Sequence, residues 1–496
     1  MLLSGILAVL NWQTILLMFI GVIVGIIFGS IPGMTATMAV ALFIPITFAM
    51  DSIPGMAVMI SLYVGGISGG LIPAILLNMP GTPSSIASTF DGYPLTQQGK
   101  AGKALGTAVI VSFFGGVISF LILIFASPLL AKIALKFGPF EYFALILFAL
   151  TMIATVTRGS FVMGIISGLI GISITFVGMA PVDGVDRFTF DLIQLKQGFS
   201  LLPVLIGLFA VSEIYKEAES GVKKEFHDIK SVKGFGMKLH EIREQAINII
   251  RSGIIGTIVG ILPGIGGSTA SILSYGQAKK ASKHPEKFGT GLIDGLVASE
   301  AGNNGLTGGA LVPLLALGIP GDSTTAVLLG ALMIQGVQPG PLLFTTNPKL
   351  IYGIFGALLI ANVIMLLVEF FGIRVFINIL KVPKEVLLPI VFVTCSLGAF
   401  AVNNSIFSVY VVIAFGIIGY LLLKVGVQLA PLIIGFILGP MAEANLRRAL
   451  MSSSGDITPL FTSPIALMFV AAAVISVLTV LYQQYKAYKN GFEEEI

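Results

Sequence analysis

The chain has 496 residues, of which 56% are hydrophobic and only 10% are charged, and its net charge is +4. Soluble domains contain about one quarter charged residues, so this composition excludes a water-soluble globular protein. Apolar stretches such as 105–126 and 351–368 approach the roughly 20 residues that a helix needs to cross a bilayer. They also lack the alternation of barrel strands. Without barrel strands, only helices can satisfy the hydrogen bonds of the backbone in lipid. The sequence therefore predicts an all-α polytopic membrane protein with roughly ten to thirteen crossings.

The residues that could carry reactive chemistry argue against a membrane enzyme. The single cysteine, Cys395, lies in an apolar run, and His227, His240 and His284 lie in polar, lysine-rich segments. A metalloenzyme inside the membrane would need clustered ligands on facing helices, and a nucleophile would need a nearby base. Because no phosphate-binding loop motif occurs, we expect transport driven by an ion gradient or by another subunit. No basic residue precedes Lys100, so we also expect no cleaved signal peptide.

Proline and glycine interrupt the apolar segments at four places. Such interruptions survive at membrane depth only where they are buried in protein or line a watery cavity. In chain order, the predicted helix breaks are Pro32-Gly33, Pro80-Gly81, Pro263-Gly264 and Pro320-Gly321. The apolar leg after the first and third breaks has about fifteen residues or fewer, which is short for a crossing at 1.5 Å per residue. We therefore expect helices or hairpins there that enter the membrane only partway.

The four breaks belong to two motifs, and each motif occurs twice in the same order. The first motif is Gly25-x3-Gly29-x2-Pro32-Gly33, which recurs as Gly256-x3-Gly260-x2-Pro263-Gly264. The second comprises Gly65, Gly69, Pro73, Pro80, Gly81, Ser84 and Ser85, and it recurs at the same spacing as Gly305, Gly309, Pro313, Pro320, Gly321, Thr324 and Thr325. Two blocks in register predict internal duplication. We assign residues 1–215 to the first repeat, 216–245 to a charged cytoplasmic linker, and 246–496 to the second repeat with the C-terminal helices.

The charges that flank the motifs indicate how the two copies are oriented. The first motif of copy two follows the basic linker, whereas copy one has no positive charge before it. After that motif, copy two carries Lys279 and Lys280, whereas copy one is uncharged over residues 52–55. Beyond the second motif the bias reverses, because copy one has Lys100 and Lys103 and copy two is uncharged from 323 to 348. This pattern predicts an inverted-topology repeat.

The polar residues at the breaks are candidate ligands for an anion. A helix that starts at a break offers free N–H groups and a partial positive charge, which suit a carboxylate. The predicted substrate-binding residues are Thr35, Asn78, Thr82, Ser84, Ser85, Ser268, Thr269, Ser323, Thr324 and Thr325. Simple capping by the hydroxyls and tight packing at the glycines are the alternatives.

Four further polar residues are candidates for ion coupling. Asp322 is the only acidic residue in either second motif, and it either binds a cation or proton or serves as an N-cap. Glu300, Asn303 and Asn304 form a polar cluster in an apolar setting and could coordinate an ion. We expect no cofactor and no bound metal beyond Na⁺, and either Na⁺ or H⁺ as the coupling ion.

The motif blocks resemble the large membrane subunit of the tripartite tricarboxylate transporters. The matching segments include IPGMTATMAVALFIPITF, GILPGIGGSTAS and LGIPGDSTTAVLLGAL, and the resemblance runs from about Gly21 to Ala444. It implies a permease that imports a di- or tricarboxylate such as citrate across the prokaryotic inner membrane. It also implies two partners, a small membrane subunit of about four helices and a periplasmic solute-binding protein. In such a permease the segments 32–37, 80–85, 263–269 and 320–325 would line the path.

Two other transport functions remain as alternatives. An anion channel would need rings of polar residues along its helices, and the sequence shows no such periodic stripe. A carboxylate carrier that works without a binding protein would use the same broken helices. The sequence favours a secondary carrier that depends on a binding protein.

Overall fold

The computed structural model describes residues 2–156, 161–220, 235–379 and 384–489, and nearly all regular structure in them is helical. The helices in chain order are α1 (Leu2–Val9), α2 (Trp12–Ser30), α3 (Ala36–Phe48), α4 (Ser52–Gly69), α5 (Leu71–Leu77), α6 (Ile86–Gln97), α7 (Ala101–Ala134), α8 (Pro139–Val156), α9 (Phe161–Ile174), α10 (Leu201–Ile206), α11 (Ser212–Ser220), α12 (Leu239–Ile261), α13 (Gly266–Ala281), α14 (Ile293–Leu317), α15 (Ser323–Ile334), α16 (Leu343–Thr346), α17 (Pro348–Ile379), α18 (Lys384–Asn403), α19 (Ile406–Lys424), α20 (Leu429–Ser452), α21 (Pro459–Thr462) and α22 (Pro464–Lys489). Short 3-10 turns span Pro83–Ser85, Ile193–Leu195 and Pro285–Lys287, and a π-helical turn spans Gly207–Val211. Two two-residue strands, β1 (Gly178–Met179) and β2 (Asp186–Arg187), pair antiparallel.

Seven helical segments of the described residues are long and apolar enough to cross a membrane. They are α2, α4 continued by α5, α7, α17, α19, α20 and α22. The apolar helices α3, α8, α9, α15 and α18 are shorter. Large apolar side chains point outward, for example Phe125 and Phe371, as expected for a surface that meets lipid. The prediction of an all-α polytopic membrane protein is confirmed, while the number of crossings stays a prediction.

In copy one, the glycines of both motifs bring α2 and α4 into backbone contact. A Cβ added at Gly25 would lie 2.5 Å from the carbonyl oxygen of Leu62, and one added at Gly29 would overlap the carbonyl group of Gly66. From the other side, a Cβ at Gly65 would overlap the carbonyl oxygen of Val22. Only glycine permits so close an approach of two helices.

Copy two repeats this contact between α12 and α14. A Cβ at Gly256 would overlap the carbonyl oxygen of Gly302, and one at Gly260 would lie 2.7 Å from that of Leu306. The carbonyl oxygen of Gly253 faces Gly305 in the same way. These positions align with the copy-one contacts through the sequence motifs, so the duplicated motifs build the same helix pair twice.

The two halves of the chain are interleaved rather than separate. Helix α7 of the first half packs along α14 of the second, and α17 of the second half packs along α4 of the first. Hydrogen bonds join both pairs, since the backbone N–H of Gly308 donates to Ser119 Oγ at 3.2 Å and Ser68 Oγ donates to Glu369 Oε2 at 2.8 Å.

The predicted linker over 216–245 is only partly within the described residues. Its first residues belong to α11 and its last residues to the start of α12, while 221–234 lie outside the described residues. The start of α12 is tied to the start of α7 by an ion pair between Lys103 and Glu241. The hydrogen bond that Lys103 donates to Glu241 lowers the pKa of the Glu241 carboxyl group below its usual value.

We expect Gly256→Ala to disrupt the α12–α14 contact, because the new Cβ would overlap the carbonyl oxygen of Gly302. After mild heating, a smaller fraction of the variant than of the wild-type protein should then elute as a single species on size-exclusion chromatography. Gly276 of α13 is a matched control, because it is also a helical glycine but has no atom within 4 Å of an added Cβ. Gly276→Ala should leave stability unchanged or raise it by up to about 1 kcal/mol. Equal losses in both variants would contradict a role for this close packing.

Candidate functional site

The first motif of each copy ends one helix and starts a short one. Helix α2 ends at Ser30 and α3 begins at Ala36, while α12 ends at Ile261 and α13 begins at Gly266. Gly33 and Gly264 occupy equivalent positions with φ of 94° and 79°, a left-handed conformation that favours glycine. The prolines before them cannot donate a backbone hydrogen bond, so the chain leaves the helix there.

The second motif reverses the chain in the same way in both copies. Asn78 ends α5 with φ of 55° and Gly318 ends α14 with φ of 72°, and both are left-handed C-caps. The next backbone N–H then donates to a proline carbonyl at 3.3 Å in each copy, from Met79 to Pro73 and from Ile319 to Pro313. The shared geometry explains why an asparagine stands where the other copy has glycine, since both tolerate this conformation.

Reciprocal capping boxes then start the following helices. In copy one, Ser85 Oγ accepts from the backbone N–H of Thr82 at 3.3 Å and donates to the Thr82 carbonyl oxygen at 2.9 Å, at the start of the Pro83–Ser85 turn that leads into α6. In copy two, Asp322 Oδ1 accepts from the backbone N–H of Thr325 at 2.7 Å, and Thr325 Oγ1 accepts from that of Asp322 at 2.8 Å. Asp322 Oδ2 accepts a hydrogen bond from Tyr63 OH at 2.8 Å. Asp322 therefore is an N-cap, and its role in ion coupling stays a prediction.

The breaks of the two copies contact each other across the molecule. Thr37 Oγ1 of α3 lies 2.8 Å from Thr324 Oγ1 of α15, which joins a first-motif helix of copy one to a second-motif helix of copy two. A Cβ added at Gly267 of α13 would overlap Ser84, which makes the reciprocal contact. Within copy two, the two breaks also contact each other, since the backbone N–H of Gly264 donates to the carbonyl oxygen of Gly321 at 2.8 Å.

A cavity of about 470 Å³ lies where these helix starts meet. It is lined by the starts of α3, α13 and α15 and by the turn that leads into α6. The predicted residues that line it are Thr35, Thr82, Ser84, Gly264, Ser268, Asp322, Ser323 and Thr324. Because the first N–H groups of a helix lack partners within it, four such starts converge with partial positive charge on one space.

The other predicted substrate ligands lie outside this cavity. Ser85 and Thr325 are fully buried, and their hydroxyls act in the capping boxes. Asn78 is exposed at its C-cap, and Thr269 is half-buried one residue beyond the lining residue Ser268. The break residues Pro32, Gly33, Pro80, Gly81, Pro263, Pro320 and Gly321 shape the turns without lining the cavity.

The predicted ion-coupling cluster lies next to the cavity but does not line it. Glu300 accepts hydrogen bonds from Ser88, from Ser112 at 3.0 Å and from Asn304 Nδ2 at 3.4 Å. Asn303 is fully buried, and neither amide atom has a hydrogen-bond partner among the described residues. Its Oδ1 approaches Gly267, which lines the cavity.

Three polar lining residues were not among the individually predicted ligands. Thr37 falls in the predicted path-lining segment 32–37 and aligns with Ser268 through the first motif, so the repeat itself could have identified it as a ligand. Lys216 of α11 and Gln428 fall outside the repeated blocks, and no sequence signal pointed to them. Lys216 is half exposed, with its Nζ 3.0 Å from Glu213 Oε1, and it is the only lysine or arginine that lines this cavity among the described residues.

Comparison with known proteins shows the family of the chain. The model of the tripartite tricarboxylate transporter TctA family matches residues 15–434. The chain belongs to this family. An uncharacterized 52.8 kDa protein from the TAR-I ttuC' 3'region of Agrobacterium vitis is 36% identical over 478 residues, which cover 96% of this chain and 95% of that protein. An uncharacterized protein from the TAR-II ttuC' 3'region of the same organism is 37% identical over 235 residues, which cover 47% of this chain and 97% of that protein. No solved structure matches the chain.

Membership in the TctA family identifies the chain as a membrane component of a tricarboxylate transporter. Together with the seven long apolar segments, it makes the chain a multi-pass membrane protein with a role in transport. This is a transporter family, in agreement with the expectation that the chain is not an enzyme. The cavity between the duplicated breaks is therefore the candidate site of this TctA family member.

Variants at Asp322 can separate its cap from its charge. Asp322→Ala removes the oxygen that caps α15, which typically costs about 0.5–2 kcal/mol. Asp322→Thr keeps a capping hydroxyl, as Thr82 does at the aligned position, but removes the charge. We expect Asp322→Ala to lower the Tm in detergent more than Asp322→Thr does. Equal losses would show that the fold depends on the charge, through Tyr63, more than on the cap.

Proposed function

We propose that the chain is the permease subunit of a secondary transporter that imports a small di- or tricarboxylate, driven by a gradient of Na⁺ or H⁺. The observation that carries this proposal is the convergence of four helix starts on one cavity. Family membership supports the transport of carboxylates in general. The specific substrate class and the coupling to an ion belong to the proposal.

The electrostatics of the cavity favour an anion. Helix N-termini bind carboxylates through their free N–H groups and their dipoles, and this effect is strong where water is scarce. The hydroxyls of Ser84, Ser268 and Ser323 add hydrogen-bond donors, and Lys216 adds a positive charge. The volume of about 470 Å³ lies within the range of about 300–1,000 Å³ that is typical of small-molecule pockets.

We also propose that the two repeats are inverted with respect to each other in the membrane. The reversed charge bias around the motifs supports this, because positive charges concentrate on the cytoplasmic side. In an inverted repeat, equivalent helix starts approach a central site from opposite sides, as in other transporters with broken helices. The reciprocal contacts Thr37 with Thr324 and Gly267 with Ser84 fit such a relation.

The proposed assembly contains two partners and lies in the prokaryotic inner membrane. A periplasmic solute-binding protein would deliver the carboxylate, and a small membrane subunit of about four helices would pack against this chain. The tripartite character of the TctA family supports both partners.

Uptake of radiolabelled citrate and of mono- and dicarboxylates tests the function. We would measure it in membrane vesicles that contain this chain with its small subunit, with and without the binding protein, under imposed Na⁺ or pH gradients. We expect accumulation of a di- or tricarboxylate that needs a gradient and the binding protein. Flux that does not depend on the Na⁺ or pH gradient would favour an anion channel. Full uptake without the binding protein would favour a stand-alone carrier.

The charge of Lys216 gives a second test at the cavity. We expect Lys216→Gln to raise the carboxylate concentration for half-maximal uptake by roughly tenfold, because the variant loses one partly screened positive charge near the anion. Lys279→Gln is the matched control, since Lys279 is an exposed lysine at the end of α13 and does not line the cavity. Unchanged uptake in Lys216→Gln would place the anion away from α11.

A further inference from the structure

One fully buried carboxyl group lies outside the cavity, between the two halves of the chain. Glu300 of α14 is 0% exposed and does not line the cavity. Ser88 Oγ of α6 donates to its Oε1, and Ser112 Oγ of α7 donates to its Oε2 at 3.0 Å. None of the ion pairs in the described part of the chain involves Glu300. A buried carboxylate without a basic partner is costly in a membrane protein unless it binds a cation or a proton.

The hydrogen bonds around Glu300 suit a proton better than a metal ion. Besides the two serines, Asn304 Nδ2 lies 3.4 Å from Oε2 and donates to Ser112 Oγ at 2.8 Å. A hard metal ion binds several oxygen atoms at once, whereas here hydroxyl and amide hydrogens already occupy positions around the carboxylate. A proton needs only one carboxylate oxygen and one acceptor for the resulting hydrogen bond.

Ser88 can serve Glu300 in either protonation state. Its Oγ is hydrogen-bonded to Glu300 Oε1 and also lies 3.3 Å from Ser299 Oγ, which donates to the carbonyl oxygen of Leu296 at 3.0 Å. When Glu300 is ionised, Ser88 donates to it. When Oε1 carries a proton, that proton bonds to Ser88 Oγ, and Ser88 turns its own hydrogen toward Ser299 Oγ. Both states therefore satisfy Oε1 and Ser88 without moving a heavy atom.

We propose that Glu300 is the binding site of the coupling proton. The proton forms an O–H bond with Oε1, Ser88 accepts the hydrogen bond from it, and no other covalent bond changes. This site is separate from the cavity in which the carboxylate is proposed to bind. It names H⁺ as the coupling ion, and it rests on the proposed function above.

Two helices connect Glu300 to the cavity. On the α6 side, Ser88 follows by one turn Ser84, which lines the cavity. On α14, Asn303 is 0% exposed, and neither of its amide atoms has a hydrogen-bond partner among the described residues. A Cβ added at Gly267, which also lines the cavity, would lie 3.4 Å from Asn303 Oδ1 and 3.4 Å from Ser84 Oγ. A change in the hydrogen bonds of Glu300 therefore reaches the cavity wall through α6 and α14, as the coupling of two ligands requires.

The other titratable groups on the helices packed against α14 are bonded elsewhere or exposed. Asp91 of α6 accepts from the backbone N–H groups of residues 289, 291 and 292 and from Tyr275 OH. The others that are bonded elsewhere are Asp322 with Tyr63, Lys103 with Glu241, Asp294 with Gln245, and Arg251 with Asn248. The exposed ones are Lys132, His240, Arg243, Glu244, Lys279 and Lys280. On α17, the carboxyl group of Glu369 accepts from Ser68 of α4. The hydroxyl and amide partners of Glu300 are therefore the groups that act on its proton directly.

Infrared spectra of the purified full-length chain test the proton site without any carboxylate substrate. We would record the band of protonated carboxyl groups across a pH series in the wild-type protein and in Glu300→Gln. Their difference isolates Glu300 from the other buried carboxyl groups. We expect a difference band that grows as the pH falls and titrates as a single group. Absence of such a band would overturn the proposal.

Two further variants keep this test decisive. Ser88→Ala retains the Glu300 carboxyl group but removes the hydroxyl that bonds it in both states, so the band should remain while its pH midpoint shifts. This comparison with wild type tests the site even if Glu300→Gln fails to fold, and an unchanged midpoint would count against the role of Ser88 in the proposal. Glu244→Gln is the matched control, because it alters an exposed carboxylate of α12 and should give the wild-type titration.

Uptake of radiolabelled citrate and dicarboxylates in vesicles tests the coupling role, with the small subunit and the binding protein present. Glu300→Gln should lose accumulation driven by a pH gradient but still exchange external label for internal unlabelled carboxylate, because exchange needs no net movement of protons. Normal accumulation by Glu300→Gln, or wild-type accumulation that needs only a Na⁺ gradient, would overturn the proposal. A titrating Glu300 in a wild-type protein that moves no carboxylate under any gradient would instead contradict the proposed function.

Discussion

The peptide groups at the helix breaks set the main constraint on this structure. A broken helix in an apolar environment exposes N–H groups that have no partner within the helix, and they must be satisfied by protein or by a ligand. Thr82 with Ser85 and Asp322 with Thr325 satisfy part of this requirement through capping boxes. The first turns that hold the remaining N–H groups lie at the cavity. The same constraint therefore determines the caps and supports the proposal that an anion binds at this cavity.

Close packing of glycines holds the breaks in place. A Cβ added at Gly81 would overlap the carbonyl oxygen of Gly29, and one added at Gly321 would lie 2.5 Å from that of Gly260. Each second-motif turn is thus seated against the end of the helix that the first motif interrupts. Because both contacts involve backbone atoms, a larger side chain has no flexible neighbour to displace. The geometry of the cavity follows from helix packing at glycines that do not line it.

Sequence reasoning found the helical membrane fold, the two motifs and eight of the residues that line the cavity. It succeeded because each motif encodes its own turn, so local chemistry and three-dimensional position coincide. It missed Lys216 because α11 carries no part of the repeat and reaches the cavity only through tertiary packing. It predicted Asn78 as a substrate ligand, which stays a prediction; the structure places Asn78 outside the cavity as a left-handed C-cap. Glu369, the one acidic residue of α17, falls outside both motifs, and only the fold brings it to Ser68 of α4.

The two copies have the same backbone geometry at the second motif but different side chains, so the charge along the cavity wall is uneven. Asp322 of copy two aligns with Thr82 of copy one, so only one of the two second-motif helices has an acidic cap. That carboxylate offsets the positive potential at the start of α15. In the copy-one turn, Thr82 and Ser84 are neutral, and a Cβ added at Gly267 would overlap Ser84 and lie 3.4 Å from Asn303 Oδ1. If a carboxylate binds in the cavity as proposed, we expect it nearer the copy-one turn, where the lining residues carry no negative charge.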